Sequence, residues 1–175
     1  MCCGPCAVYP HQVLSREHEI TGLFYNPNIH PYTEYKKRLD TARDFADKSG
    51  YKLITIDEYN LDEFLRNAAF REGQRCIMCY AERLERAASV AKSGCFDAFT
   101  TTLLVSPFQK HDLIRRIGEE AGKKYGVEFL YKDFRGGFKE GVEKSRELGL
   151  YRQPYCGCIY SERDRYMPGR KVGRK

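Results

Sequence analysis

The sequence predicts an α/β domain in which a mainly parallel sheet is flanked by helices. Three observations predict it. Short runs rich in β-branched and aromatic residues alternate with longer runs whose apolar residues recur at helical spacing; Gly, Pro and Asn mark the joins; and the alternation continues along the chain from Glu19 onward. At 175 residues a single domain is expected, long enough to bury a core without help from disulfides.

Taken in order, residues 20–25 read as a first strand, stopped by Asn26-Pro27-Asn28. Tyr35, Leu39, Ala42 and Ala46 then recur at helical spacing until Lys48-Ser49-Gly50 ends the run. Residues 51–56 form a second strand. A short helix is expected over residues 61–69 and a longer one over about 77–92, with Leu84, Ala88 and Ala91 on one face. Residues 96–104 and 129–134 are the third and fourth strands. Between them Ser106-Pro107 opens a helix carrying Leu113, Ile117 and Ala121. Gly136-Gly137 precedes a last helix ending near Leu148-Gly149, and residues 151–160 are a loop. Residues 162–175 are rich in Arg and Lys without apolar periodicity, so the domain is placed at 1–161 and a flexible basic tail at 162–175.

The net charge of +6 and a pI of 8.8 are compatible with a polyanionic partner. No apolar run approaches a membrane span, and the N-terminus lacks the basic-then-apolar order of a signal peptide, so a cytoplasmic, reducing location with no membrane partner is expected. Neither a Gly-x-x-x-x-Gly-Lys-Ser/Thr loop nor a Gly-x-Gly-x-x-Gly run is present, so no motif implies ATP or a dinucleotide.

The chemistry lies in the cysteines. Seven of the eight fall in three tight clusters: Cys2, Cys3 and Cys6; Cys76 and Cys79; Cys156 and Cys158. Close-set thiolates in an intracellular chain suit soft metals and iron-sulfur clusters rather than a disulfide framework. Vicinal Cys2 and Cys3 suit metal ligation better than a strained bond to each other, and a Gly4-Pro5 turn would bring Cys6 back towards them; the plain alternative is small buried hydrophobes in a turn. Cys76 and Cys79 have the gap used by zinc, iron-sulfur and thiol redox sites alike. They are expected at a helix N-terminus, where the macrodipole and free amides favour thiolate. With Cys2 and Cys3 they make a four-thiolate set. Cys156-Gly157-Cys158 can ligate one metal, close to a strained and readily reduced disulfide, or complete a zinc ribbon with Cys76 and Cys79. Four thiolates hold one 4Fe-4S cluster, which leaves enough for a second metal or a dithiol. Cys95 is expected to be a buried small hydrophobe outside the site.

Asp97 precedes Thr100-Thr101-Thr102 near a strand end, where it could be a hard ligand or a proton donor, or simply cap a turn. His30, in the turn-rich Asn26-Pro27-Asn28-Ile29-His30-Pro31 junction, is a weaker substrate candidate, while His11, His18 and His111 are expected on the solvated surface.

Taken together, Cys2-Cys3-Gly4-Pro5-Cys6, Phe24-Tyr25-Asn26-Pro27-Asn28-Ile29-His30-Pro31, Arg75-Cys76-Ile77-Met78-Cys79-Tyr80, Asp97 to Leu104 and Tyr151-Arg152-Gln153-Pro154-Tyr155-Cys156-Gly157-Cys158 resemble the motifs of the cobalamin-independent, QueH-type epoxyqueuosine reductases. The resemblance runs to about Ser161. It implies a sheet like that of the nucleotide-binding α/β (HUP-like) superfamily without its ATP loop. It also implies reduction of epoxyqueuosine to queuosine at the wobble position of tRNAs with a GUN anticodon, with electrons from an unidentified donor. The cofactor it implies is a 4Fe-4S cluster, at positions matching Cys2, Cys3, Cys76 and Cys79. Cys156 and Cys158 match a motif read as a redox disulfide or as part of an adjacent mononuclear iron site, which Cys6 and Asp97 would complete. The family's first cysteine motif usually follows an apolar strand, whereas here it follows Met1 directly. Two other classes fit the cysteines alone: a zinc-stabilised RNA-binding module and a metal-free thiol-disulfide oxidoreductase.

Overall fold

The computed structural model describes residues 1–167. Its elements are α1 (Gly4–Leu14), β1 (Thr21–Phe24), α2 (Tyr32–Ser49), β2 (Lys52–Thr55), α3 (Leu61–Ala68), α4 (Arg75–Ser93), β3 (Ala98–Phe99), α5 (His111–Tyr125), β4 (Glu128–Phe129), α6 (Phe138–Glu147) and α7 (Ile159–Tyr166). Short 3-10 turns lie at Glu72–Gln74, Thr102–Val105 and Arg135–Gly137. The α/β class with parallel pairing is as predicted. β1 pairs with β2, Thr21 opposite Lys52 and Phe24 opposite Thr55, and β3 pairs with β4, Phe99 opposite Phe129.

The strands are shorter than expected and form two separate pairs. For β3 the cause is local: Thr100 Oγ1 donates to Leu130 O at 2.7 Å and Thr101 Oγ1 accepts from Leu103 N at 3.3 Å. Hydroxyls that capture backbone groups compete with a ladder, so the run expected over residues 96–104 turns into the Thr102–Val105 3-10 turn instead.

The first cysteine motif does not sit in a turn. Cys3 is extended, at φ −176° and ψ 169°, and Gly4 begins α1 with a proline in its first turn, a position that spares a helical hydrogen bond. Only glycine fits at that start. A Cβ on Gly4 would lie 2.6 Å from Thr41 O and 2.9 Å from its Cγ2, so the missing side chain is what lets α1 begin against α2.

The largest apolar core joins α4 and α5 through Leu84, Ala88, Ile114 and Ile117 to Phe99, Leu104 and Phe129, while Phe24, Tyr35, Leu39 and Ala42 make a second core under β1 and β2. α1 packs on both α2 and α6. The N-terminal thiols therefore sit between the two halves of the chain.

Three expectations need correction. Residues 162–166 of the expected tail are helical, as part of α7, while residues 168–175 lie outside the described residues. Cys95 is exposed, because it occupies the turn after α4 with φ 54°, which turns its side chain out of the core. His111 is buried, its ring nitrogens 3.2 Å from Ser106 O and 3.5 Å from Tyr131 Oη. No helix among the described residues is long and apolar enough to cross a membrane.

Candidate metal centre

The N-terminal tripeptide is extended alongside β1. The Met1 amino group donates to Leu23 O, Asn26 Nδ2 donates to Met1 O at 2.9 Å, and Cys2 N donates to Thr102 Oγ1 at 3.3 Å. One turn into α1, Cys6 comes back over Cys2 and Cys3, and the three sulfurs lie within 4.8 Å of one another. Cys2 and Cys3 are buried, with their sulfurs 3.7 Å apart. Gln153 closes the group, accepting from Cys3 Sγ at 3.1 Å and donating to Cys6 Sγ at 3.0 Å. Hydrogen bonds from Cys3 and Cys6 hold the Cys2 thiol well below its ordinary value. Burial raises Cys3, and the bonds to Cys2 and Cys3 raise Cys6. The trio thus holds a shared negative charge and protons that a metal would displace.

The second pair enters on α4, whose start carries Cys76 and, one turn on, Cys79. This is the helix N-terminus expected from the sequence. Burial pushes the Cys79 thiol up to about 12, against the lowering charge of Arg83. Burial would pull Arg83 down in turn, but the thiols of Cys79, Cys2 and Cys156 more than offset it, so the guanidinium stays charged among all three motifs. Arg75 plays the same part nearer the surface. Burial lowers it, Cys158 and Cys76 raise it, and it bonds Asp164 of α7 at 2.9 Å.

The last pair is clamped from below. Arg38, fully buried and ion-paired with Glu34 at 2.7 Å, donates to Cys156 O at 2.8 Å and to Tyr155 O at 2.9 Å. His30 N donates to Gly157 O at 2.8 Å, and Tyr155 Oη donates back to His30 O at 2.6 Å. Gly157 has φ 153°, and a Cβ there would meet Ile29 at 3.2 Å and Arg38 at 3.3 Å. The turn-rich junction of residues 26–31 therefore braces this cysteine turn. Gln109 Nε2 lies 3.4 Å from Cys156 Sγ; Cys156 is an exposed residue, but the protein atoms crowded around its sulfur raise the thiol and this bond lowers it.

Among the described residues only Cys2, Cys3 and Cys6 form a group of adjacent sulfurs; Arg83 feels Cys79, Cys2 and Cys156, and Arg75 feels Cys158 and Cys76. Asp97 is not brought to the cysteines: it is exposed at the entrance of β3, whereas Thr102, beyond the strand's other end, is what meets Cys2. Parallel strands gather ligands at their carboxyl ends, and Asp97 stands at the amino end. Arg38, Arg83, Gln109 and Gln153 were not expected at the site. Two had a readable signal, since Arg38 falls on the apolar stripe of Tyr35, Leu39 and Ala42, and Arg83 lies one turn beyond Cys79 on the same helix face.

Three mutually adjacent sulfurs with no carboxylate among them, two of them buried, fit a thiophilic metal or an iron-sulfur centre, and the nearby cation suits an anionic cluster. The profile of a known family, described as epoxyqueuosine reductase QueH, matches residues 1–164. The chain belongs to that family. Its curated relatives of the same description include proteins from Dehalococcoides mccartyi, 34% identical over 94% of this chain and 91% of the relative, and Thermotoga maritima, 35% identical over 100% and 94%. A Haemophilus influenzae relative is 35% identical over 99% of this chain and 74% of its own length. The QueH family accounts for the motif order; the contacts above account for why those motifs meet.

Proposed function

We propose that the protein reduces the epoxide of epoxyqueuosine to the alkene of queuosine at the wobble position of tRNAs with a GUN anticodon, the last step in making that nucleoside. The cofactor would be a 4Fe-4S cluster on Cys2, Cys3, Cys76 and Cys79, with an adjacent mononuclear iron on Cys6, Cys156 and Cys158. Such a centre supplies electrons singly and a Lewis-acidic position. The observation that supports the reading is the Cys2, Cys3 and Cys6 sulfur group, tied to the last cysteine motif by Gln153, with the Arg83 guanidinium charged beside Cys79 and Cys2, in a chain of this family.

Taking the epoxide oxygen off as water needs two electrons and two protons and leaves the carbon-carbon double bond. An external donor supplies the electrons. Arg83 offsets the negative charge of the thiolates around it, and Gln153 and Gln109 fix the sulfurs of Cys3, Cys6 and Cys156. Asp97, the acid expected from the sequence, is left out because of its position. Protons are assigned to solvent, which reaches exposed Cys156.

The test is loss of epoxyqueuosine from modified tRNA, followed by nucleoside mass spectrometry with anaerobically purified protein and a chemical reductant. Brown protein with about four or more irons and acid-labile sulfide is expected. A colourless zinc protein without turnover would favour the RNA-binding module, and activity without metal the thiol oxidoreductase. Cys158→Ser is expected to abolish turnover while leaving the four irons of the cluster in place. Undiminished turnover would remove Cys158 both as an iron ligand and as a redox thiol.

A further inference from the structure

A cavity of about 270 Å³ opens beside Cys79, between α3 and α4. Phe64, Met78 and Cys79 contribute apolar side chains and sulfur to its wall, while Glu63, Asn67 and Glu82, with Arg71 as the one cation of the lining, contribute polar groups. Phe64 is buried, whereas Glu63, Asn67 and Glu82 are exposed, so the polar groups face the mouth. The space suits one small ring rather than a whole nucleoside.

We infer that this cavity is the subsite for the epoxide-bearing cyclopentane diol of the modified base, and that Glu63 and Glu82 pair with the secondary ammonium that links that ring to the base. The inference rests on the function proposed above and assigns the side chains that read the substrate's modification. Epoxyqueuosine differs from guanosine in having carbon in place of N7, and on that carbon a methylene, an amine that is protonated near neutral pH and an epoxide-bearing carbocycle with two hydroxyls. A wall of Phe64 and Met78 matches the carbocycle, the Asn67 amide matches a hydroxyl, and two carboxylates match the cation.

The two acids come from different helices and act on each other. Partial desolvation of its carboxyl raises Glu82 and the charge of Glu63 raises it further, while the Tyr25 hydrogen bond and the Arg83 charge oppose them. Glu82 accepts a 3.4 Å hydrogen bond from Tyr25 Oη and feels the Arg83 charge, and Glu63 accepts from the Asn60 side chain. A ligand cation between them relieves the repulsion that the empty arrangement carries. The site also explains direction, because a ring anchored by its amine at Glu63 and Glu82 extends towards Cys79, where the reducing centre is proposed.

Two measurements on metal-loaded protein test this. The first is anaerobic binding of anticodon stem-loops carrying either queuosine or guanosine at the wobble position; queuosine keeps the ammonium and diol but has no epoxide. Wild type is expected to prefer queuosine by at least about tenfold, with Glu63→Gln and Glu82→Gln each shrinking the preference several-fold and the double variant abolishing it. Affinity for the guanosine stem-loop and iron content should be unchanged, which separates the effect from misfolding, and Glu82→Asp should keep part of the preference. The second is turnover: KM for epoxyqueuosine tRNA should rise about tenfold in each variant with kcat within about twofold. If wild type reduces the epoxide and both Gln variants keep preference and KM, the subsite assignment is wrong and the function stands. If wild type does not reduce it, the function falls and the subsite with it.

Discussion

Arg38 is the largest side chain among the described residues that the fold removes wholly from water, and three of its five donors are spent on one carboxylate and two backbone carbonyls. Truncating it leaves Glu34 buried without its ion pair and frees the cysteine turn. Arg38→Ala is therefore expected to destabilise the protein by roughly 3–5 kcal/mol in urea unfolding, the range for breaking a buried pair from one side. Arg38→Lys should recover only part, since an ammonium cannot span both carbonyls. His30 sets a pH dependence of the opposite kind. Burial lowers its imidazole to about 4, from an ordinary value near 6.5, and the backbone of Pro27 only partly opposes it. The unfolded chain then binds a proton that the folded chain refuses, so stability is complete above about pH 6.5 and falls towards pH 4, by up to ~3 kcal/mol at about 1.4 per pH unit. Denaturant midpoints at pH 7 and pH 5 should separate in wild type and converge in His30→Phe; equal separation in both would show that another group titrates.

At the scale of elements, the start of α1 against α2 decides where three thiols stand. Gly4→Ala places a methyl group against the Thr41 carbonyl, so the helices must part, at a cost of about 1–3 kcal/mol and with loosened Cys2, Cys3 and Cys6. The expected readout is lower iron retention at unchanged helicity by circular dichroism; full retention would mean that the contact can relax. The same element marks what the sequence discloses and what it hides. Tyr35, Leu39, Ala42 and Ala46 announced α2, and the run from Ile77 announced α4 with its thiols at the amino end, because apolar spacing is a local signal. Gly4-Pro5 reads equally well as a turn or as a helix start, and what selects the helix is packing on α2 and α6, which no local pattern carries. Likewise, the cysteine motifs were visible as motifs, but Gln109 and Gln153, single amides in loops, acquire meaning only from the sulfurs they reach. Asp97 misled for the converse reason: its neighbourhood in sequence is the site, while its position along β3 is not.

Across the whole molecule, the proposed function requires a wobble nucleotide to reach Cys79, with the rest of the tRNA held by charge. α7 contributes Asp164 to Arg75 and lays its Tyr160 ring against the Arg75 guanidinium at 5.4 Å, so it belongs with the folded part. A chain ending after Met167 is therefore the informative truncation, since it removes Arg170, Lys171, Arg174 and Lys175 and leaves α7 whole. Its tRNA affinity is expected to fall and its dependence on log salt to flatten by about 0.7–0.9 for every phosphate left without a protein cation; an unchanged slope would show that those side chains do not touch tRNA. Cys95 adds a complication of handling. Its thiol points outward from a left-handed turn at the opposite end of α4 from Cys76 and Cys79, so oxygen can join two molecules through it while Cys2 and Cys3 are buried. A doublet on a gel run without reductant would then record storage history, and Asn or Gly, both at ease in that backbone conformation, could replace it there before subunit number is measured.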